Sequence, residues 1–164
     1  MPGPEACFTE SIVVHAARLQ VLAQLTEPTK MIGLQPLIVG CELVEKEVDA
    51  DGGVRSYEAI FTEHFQLVGP LGYNNRVRAR MQADRAVPAV EFTVRSFPRI
   101  RLGSRYELAA APSATLVRLT VTIDCPRVLR PLVVSAARAA HRRLLGNLKR
   151  RCEEVPPTAQ GRAL

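Results

Sequence analysis

The sequence contains no tryptophan, only three tyrosines and five phenylalanines in 164 residues. Aromatic platforms on which single-stranded bases could stack are therefore scarce, which weighs against a nucleic-acid partner. Closely spaced metal ligands are missing as well. The four cysteines (Cys7, Cys41, Cys125, Cys152) form no CxxC pair and the three histidines (His15, His64, His141) stand far apart, so no metal site is expected. No apolar run approaches the roughly 18–20 residues that cross a bilayer as a helix. The opening "MPGPEACFTE" lacks the basic-then-apolar order of a secretory signal. These absences point to a cytoplasmic protein with reduced thiols, and nothing in the sequence calls for a cofactor.

What is present suits one globular domain: 47% hydrophobic and 23% charged residues, with a formal charge of +6. The basic residues run from Arg18 to Arg162 and mostly alternate with apolar ones, the pattern of a solvated surface rather than a phosphate-binding patch. Residues 1–6 and the tail "VPPTAQGRAL" (155–164) are rich in proline and small residues and read as loose ends. That leaves 7–154 as a single domain.

Along the chain, "CFTESIVVHA" reads as a strand and "AARLQVLAQL" as a short helix with Leu19, Leu22 and Ala23 on one side. Pro28 suits the start of a second short helical turn through "PTKMIG". From residue 36 the period changes to two. Strands are expected in "PLIVGCELVEKEV", "VRSYEAIFTEHFQ", "YNNRVRARMQ", "AVEFTVRS", "IRLGSRYEL" and "TLVRLTVTID", separated by "DADGG", "LVGPLG", "ADRAVP", the "SFPRI" loop and "AAAPSA". A long helix then begins near Val128–Pro131. In "YNNRVRARM", Tyr73, Asn75, Val77, Ala79 and Met81 share one face, and Arg76, Arg78 and Arg80 share the other. Arg95, Arg101, Arg105 and Arg118, with Glu91 and Glu107, extend the charged face.

An antiparallel sheet wet on one side must cover the other. The C-terminal helix is the only element long and amphipathic enough. Val133, Ala137, Ala140, Leu144 and Leu148 form its apolar stripe, and Arg138, Arg142 and Lys149 lie opposite. His141 falls inside the stripe beside Val134, Leu145 and Cys152, so its imidazole points between helix and sheet. The expected class is α+β.

The order of elements resembles the helix-grip superfamily, as do three stretches: "SIVVHAARLQVLAQLTEP" at the strand-to-helix start, "RYELAAAPSATLVRLTVTID" at the last hairpin and "HRRLLGNLKRRCEE" at the end. That superfamily holds the START lipid-transfer domains, the birch-pollen allergen family and the polyketide cyclase/dehydrase group, together called SRPBCC proteins. The resemblance covers residues 8–154, and its patterns are architectural rather than catalytic. It implies a curved seven-stranded antiparallel sheet wrapped around the C-terminal helix, with two short helices after strand 1. It implies an apolar cavity for lipids, sterols, polyketides or quinones. It also implies that the first and last strands pair, bringing Cys7 near Cys125.

Polar side chains of inward parity are the informative ones, because stranding one in a core costs about 1–3 kcal/mol. They are Tyr57, Glu63, Tyr73, Asn75, Ser104, Tyr106 and His141; Phe61, Phe92, Ala137 and Leu144 complete the candidate lining. Each polar group has a plainer reading. His141 and Tyr106 could be satisfied by backbone or by one another, and Asn75 could be a turn residue. For Glu63 an outward position at a strand end or bulge is the stronger reading. In a meander alternate hairpins lie at the same end, so loops 67–72 and 96–100 should flank the helix start near Leu129 and Leu132 and form the cavity mouth.

The function expected first is binding or carriage of a hydrophobic small molecule (lipid, polyketide or quinone-like), with no nucleic acid, no membrane span, and a homodimer left open. The alternative is a polyketide cyclase/aromatase-type enzyme using His141, Tyr106 or Glu63 as acid or base. A third reading, an interaction module on the arginine-rich face, would need an acidic partner and show strong salt dependence.

Overall fold

Period-two alternation from residue 38 onward yields six consecutive strands, and a seventh from the start of the chain pairs with the last of them. In the computed structural model, which describes residues 5–68 and 70–154, the elements run β1 (Ala6–Val14), α1 (Arg18–Thr26), a 3-10 turn (Pro28–Met31), β2 (Ile38–Val48), β3 (Val54–Val68), β4 (Leu71–Asp84), β5 (Ala89–Ser96), β6 (Ile100–Ala111), β7 (Ala114–Asp124), a 3-10 turn (Arg127–Leu129) and α2 (Arg130–Glu154). All neighbours pair antiparallel in the order β1-β7-β6-β5-β4-β3-β2. This is the helix-grip arrangement. Of the two ends expected to be loose, 1–6 and 155–164, residues 1–4 and 155–164 lie outside the described residues, and Ala6 already begins β1.

Register follows the alternation. The side chains of Arg76, Arg78 and Arg80 are 62%, 64% and 63% exposed, whereas Val77, Ala79 and Met81 are 2%, 1% and 0% exposed. A slip of one residue would exchange the sets and bury three guanidiniums, so burial of the apolar set selects this pairing. On the wet face Glu58 lies between Arg78 (3.1 Å) and Arg80 (3.2 Å), Arg76 meets Glu42 at 2.6 Å, and Arg105 is flanked by Glu91 and Glu107. Exposed pairs of this kind contribute little each, about 0–1 kcal/mol; they balance charge on a face that must stay solvated.

The dry face is covered by α2, but unevenly. Ala140, His141, Leu144, Leu145, Leu148 and Cys152 are buried, whereas no residue from Arg130 to Ala139 is. The helix is thus packed down at its C-terminal half and overhangs open space at its N-terminal half. Arg142 donates to Glu10 of β1 at 2.9 Å, and the Arg138 guanidinium lies 5.0 Å over the Phe8 ring, which tie the helix to that edge of the sheet.

Three local expectations are corrected. In α1 the buried side is Val21, Leu22 and Leu25, while Leu19 is 72% exposed and Ala23 is exposed too. A nine-residue helix offers more than one apolar face, and packing against the sheet selects between them. The last turn is shorter than "AAAPSA": Ala111 pairs with Ala114, leaving Pro112 and Ser113 alone. Proline presets its own φ and Ser113 takes φ 55°, so the alanines are free to extend β6. Finally, Cys7 pairs with Thr122, three residues short of Cys125, or roughly 10 Å of strand. Cys7 is exposed, Cys125 is buried, and both are free thiols. The strands pair as the resemblance implies, but their register separates the sulfurs.

Candidate ligand-binding cavity

Inward-facing positions of β3 to β6 and the overhanging half of α2 enclose two connected chambers. The inner one, of about 80 Å³, is bounded by Phe61, Phe92, Ser104, Tyr106 and Leu144. The outer one, of about 430 Å³, is bounded by Phe65, Tyr73, Asn75, Val77, Ala136, Ala137 and Ala140. Gln35, Glu63, Val94, Leu102 and His141 line both and therefore mark the junction. The space exists because α2 presents three alanines where larger side chains would close the gap that interiors normally do not tolerate.

One side of the expected mouth, the 96–100 loop with the helix start, borders the outer chamber, whereas the described residues 70–72 of the other expected lip do not line it. Phe97 and Pro98 from the β5–β6 loop, with Leu129 and Leu132 from the helix start, border the outer chamber. Phe97 is 86% exposed and Leu132 70%. Of the other expected lip, 67–72, Gly69 and the side chains of 67 and 68 lie outside the described residues. Its flank is visible: Phe65 and Tyr73 stack at 5.2 Å along the chamber wall.

Every sequence candidate lines a chamber except Tyr57. That ring sits deeper, edge-on to Phe61 and Phe92 at 6.4 Å each, and its buried hydroxyl has no partner among the described residues. Glu63 corrects the outward reading. It shares inward parity with Phe61, and the irregularity beside it is carried by β2, where the register shifts between Ile38 and Gly40. Asn75 belongs to β4 rather than a turn, and its Nδ2 donates to Ser96 Oγ at 2.8 Å. Leu102, Val94 and Ser96 were missed, although parity with Ser104 and Phe92 contains the signal. Gln35 precedes β2 in a loop where no period applies, and nothing in the sequence marks it.

The two groups at the junction are chemically distinct. Burial pushes the Glu63 carboxyl up to about 7, because the carboxylate loses water. No hydrogen bond or ion pair engages it among the described residues. Burial pushes His141 down from its ordinary value, partly offset by a hydrogen bond to the backbone. Its Nδ1 lies 2.8 Å from the Ala137 carbonyl. A carbonyl only accepts, so Nδ1 carries the proton and the neutral ring keeps a lone pair on Nε2. Burial also raises the Tyr106 hydroxyl, with a neighbouring Ser104 hydroxyl acting the other way. The junction thus offers an acid that is half protonated near neutrality and a neutral base, inside apolar walls. No cluster of three or more metal-ligating side chains occurs among the described residues.

Residues 5–153 match the family described as "Polyketide cyclase / dehydrase and lipid transport". Among solved structures, a START superfamily protein from Mycobacterium smegmatis is 14% identical with a TM-score of 0.67, covering 92% of this chain and 99% of that one. The Zhui aromatase/cyclase from Streptomyces sp. R1128 is 15% identical with a TM-score of 0.66, covering 90% of this chain and 96% of that one. The di-domain ARO/CYC StfQ from the steffimycin biosynthetic pathway is 12% identical with a TM-score of 0.71, over 92% of this chain and 51% of that one. A comparison with curated protein sequences finds no match. Identities this low carry the fold alone, which is the helix-grip fold of these neighbours, but the family match spans nearly the whole described domain: the chain belongs to the polyketide cyclase/dehydrase and lipid transport family.

Proposed function

We propose that the protein binds and carries a hydrophobic small molecule, lipid, polyketide or quinone-like, in the two-chambered cavity. The observation that carries this reading is the outer chamber itself: about 430 Å³ of apolar-walled space beneath the half of α2 that buries none of its residues. Small-molecule sites are typically about 300–1,000 Å³, apolar, with a few convergent polar groups. Glu63 and His141 are those groups here. A family whose description includes lipid transport fits the same reading. Four free thiols suit a cytoplasmic setting, and no helix among the described residues is long and apolar enough to cross a membrane.

One observation favours the enzyme as a second reading. An acid near neutrality and a neutral base share one junction, as general acid–base chemistry requires, and the structural neighbours include an aromatase/cyclase and a di-domain ARO/CYC.

Native mass spectrometry of detergent-free protein tests the binder directly, with titration of the neutral fluorophore N-phenyl-1-naphthylamine beside it. A retained apolar mass, or probe binding weakened when Ala137→Phe fills the outer chamber, supports the reading. Absence of both a retained mass and probe binding refutes it. Retention of a supplied polyketide analogue unchanged favours the carrier; its conversion to a lighter species by loss of water favours the enzyme.

A further inference from the structure

The protein has 22 lysines and arginines, yet among the described residues none lines either chamber. The arginines of β4 point to the outer face of the sheet, and Arg138 and Arg142 engage β1 from the outer side of α2. A molecule entering the cavity therefore leaves the basic surface behind and meets no cation inside. The polar side chains that line the same chambers as Glu63 are Gln35 from the loop before β2, Tyr73 and Asn75 from β4, Ser104 and Tyr106 from β6, and His141 from α2. None is positively charged near neutrality, since burial holds His141 in its neutral form.

The same geometry states what the junction accepts. With Nδ1–H committed to the Ala137 carbonyl, His141 can only receive a hydrogen bond through Nε2. Protonated Glu63, engaged by no other described residue, can give one. We propose that the cavity selects neutral apolar molecules carrying a hydroxyl or carbonyl oxygen and rejects carboxylates such as free fatty acids; this rests on the binding reading above. A carboxylate drawn inside would lose its water, find no counter-charge and be repelled by Glu63 once that group ionises. A hydroxyl would donate to His141 Nε2, and a carbonyl would accept from Glu63. Selection by charge separates ligands that size and greasiness leave equivalent.

Three probes of nearly one shape test this by calorimetric titration: 2-naphthol, 2-acetylnaphthalene and 2-naphthoate. At about pH 6 both neutral probes are expected to bind at least about tenfold more tightly than the carboxylate. Burial places Glu63 at about 7, so the non-titrating 2-acetylnaphthalene should bind several-fold more weakly at about pH 8 than at about pH 6. Glu63→Gln keeps a neutral donor and should remove that step while leaving 2-naphthoate weak. Equal or tighter binding of 2-naphthoate overturns the charge selection, and pH-independent binding of 2-acetylnaphthalene to the wild type overturns the role of Glu63. Failure of all three probes to bind overturns the cavity reading, and this inference with it.

Discussion

Replacing Glu63 by glutamine is expected to make the protein more stable above neutral pH and to leave it almost unchanged in mild acid. In the fold the carboxyl is raised from 4.5 to about 7 by burial. Between those values the folded state holds a proton that the unfolded chain has released, so stability falls as pH rises. The favourable contribution is complete below about 4.5 and is lost as pH passes through about 7. The span from 4.5 to about 7, at about 1.36 kcal/mol per pH unit, sets a ceiling on the order of 3 kcal/mol. For a domain of this size that corresponds to roughly 6–12 °C in Tm. His141 works in the opposite direction: its lowered value gives stability that is complete above its ordinary value and lost as pH falls. The assay is therefore a difference: urea or thermal unfolding of wild type and Glu63→Gln at about pH 5 and about pH 8.5. The variant should gain about 2–3 kcal/mol over wild type at the upper pH and little at the lower. A gap independent of pH would refute the desolvated carboxyl and the donor role built on it.

Tyr57→Phe removes a buried hydroxyl that has no partner among the described residues, and should raise stability by about 1 kcal/mol or more in chemical denaturation. His141→Leu leaves the Ala137 carbonyl with its ordinary helical bond from the residue 141 amide, so no acceptor is stranded. Its Tm should therefore change little while 2-naphthol affinity drops several-fold; a marked fall in Tm with affinity intact would defeat the lone-pair assignment. Met81→Ala should cost about 2–5 kcal/mol because the side chain is fully buried, and Arg80→Ala less than about 1 kcal/mol because its guanidinium is exposed. Equilibrium unfolding of the two variants compares adjacent positions on opposite faces.

Periodicity made much of this molecule legible. In "RVRARM" a two-residue period assigns each side chain to a face, since only one register buries Val77, Ala79 and Met81 without burying arginines. The 3.6-residue period of α2 likewise put His141 among Leu144, Leu145 and Leu148. Both are local statements: the face of an element follows from its own residues. Tyr57, Phe61 and Glu63 show where that logic stops. They share one strand and one parity, yet Tyr57 packs against Phe61 and Phe92 while Glu63 opens onto both chambers. Parity carries no information about position along the strand relative to α2, and it is there that packed core gives way to cavity. The leucine-rich C-terminal half of α2 fills the space beneath it and the alanines of its middle do not, so the docking of that helix on the sheet decides which inward residues pack together and which face the open chambers.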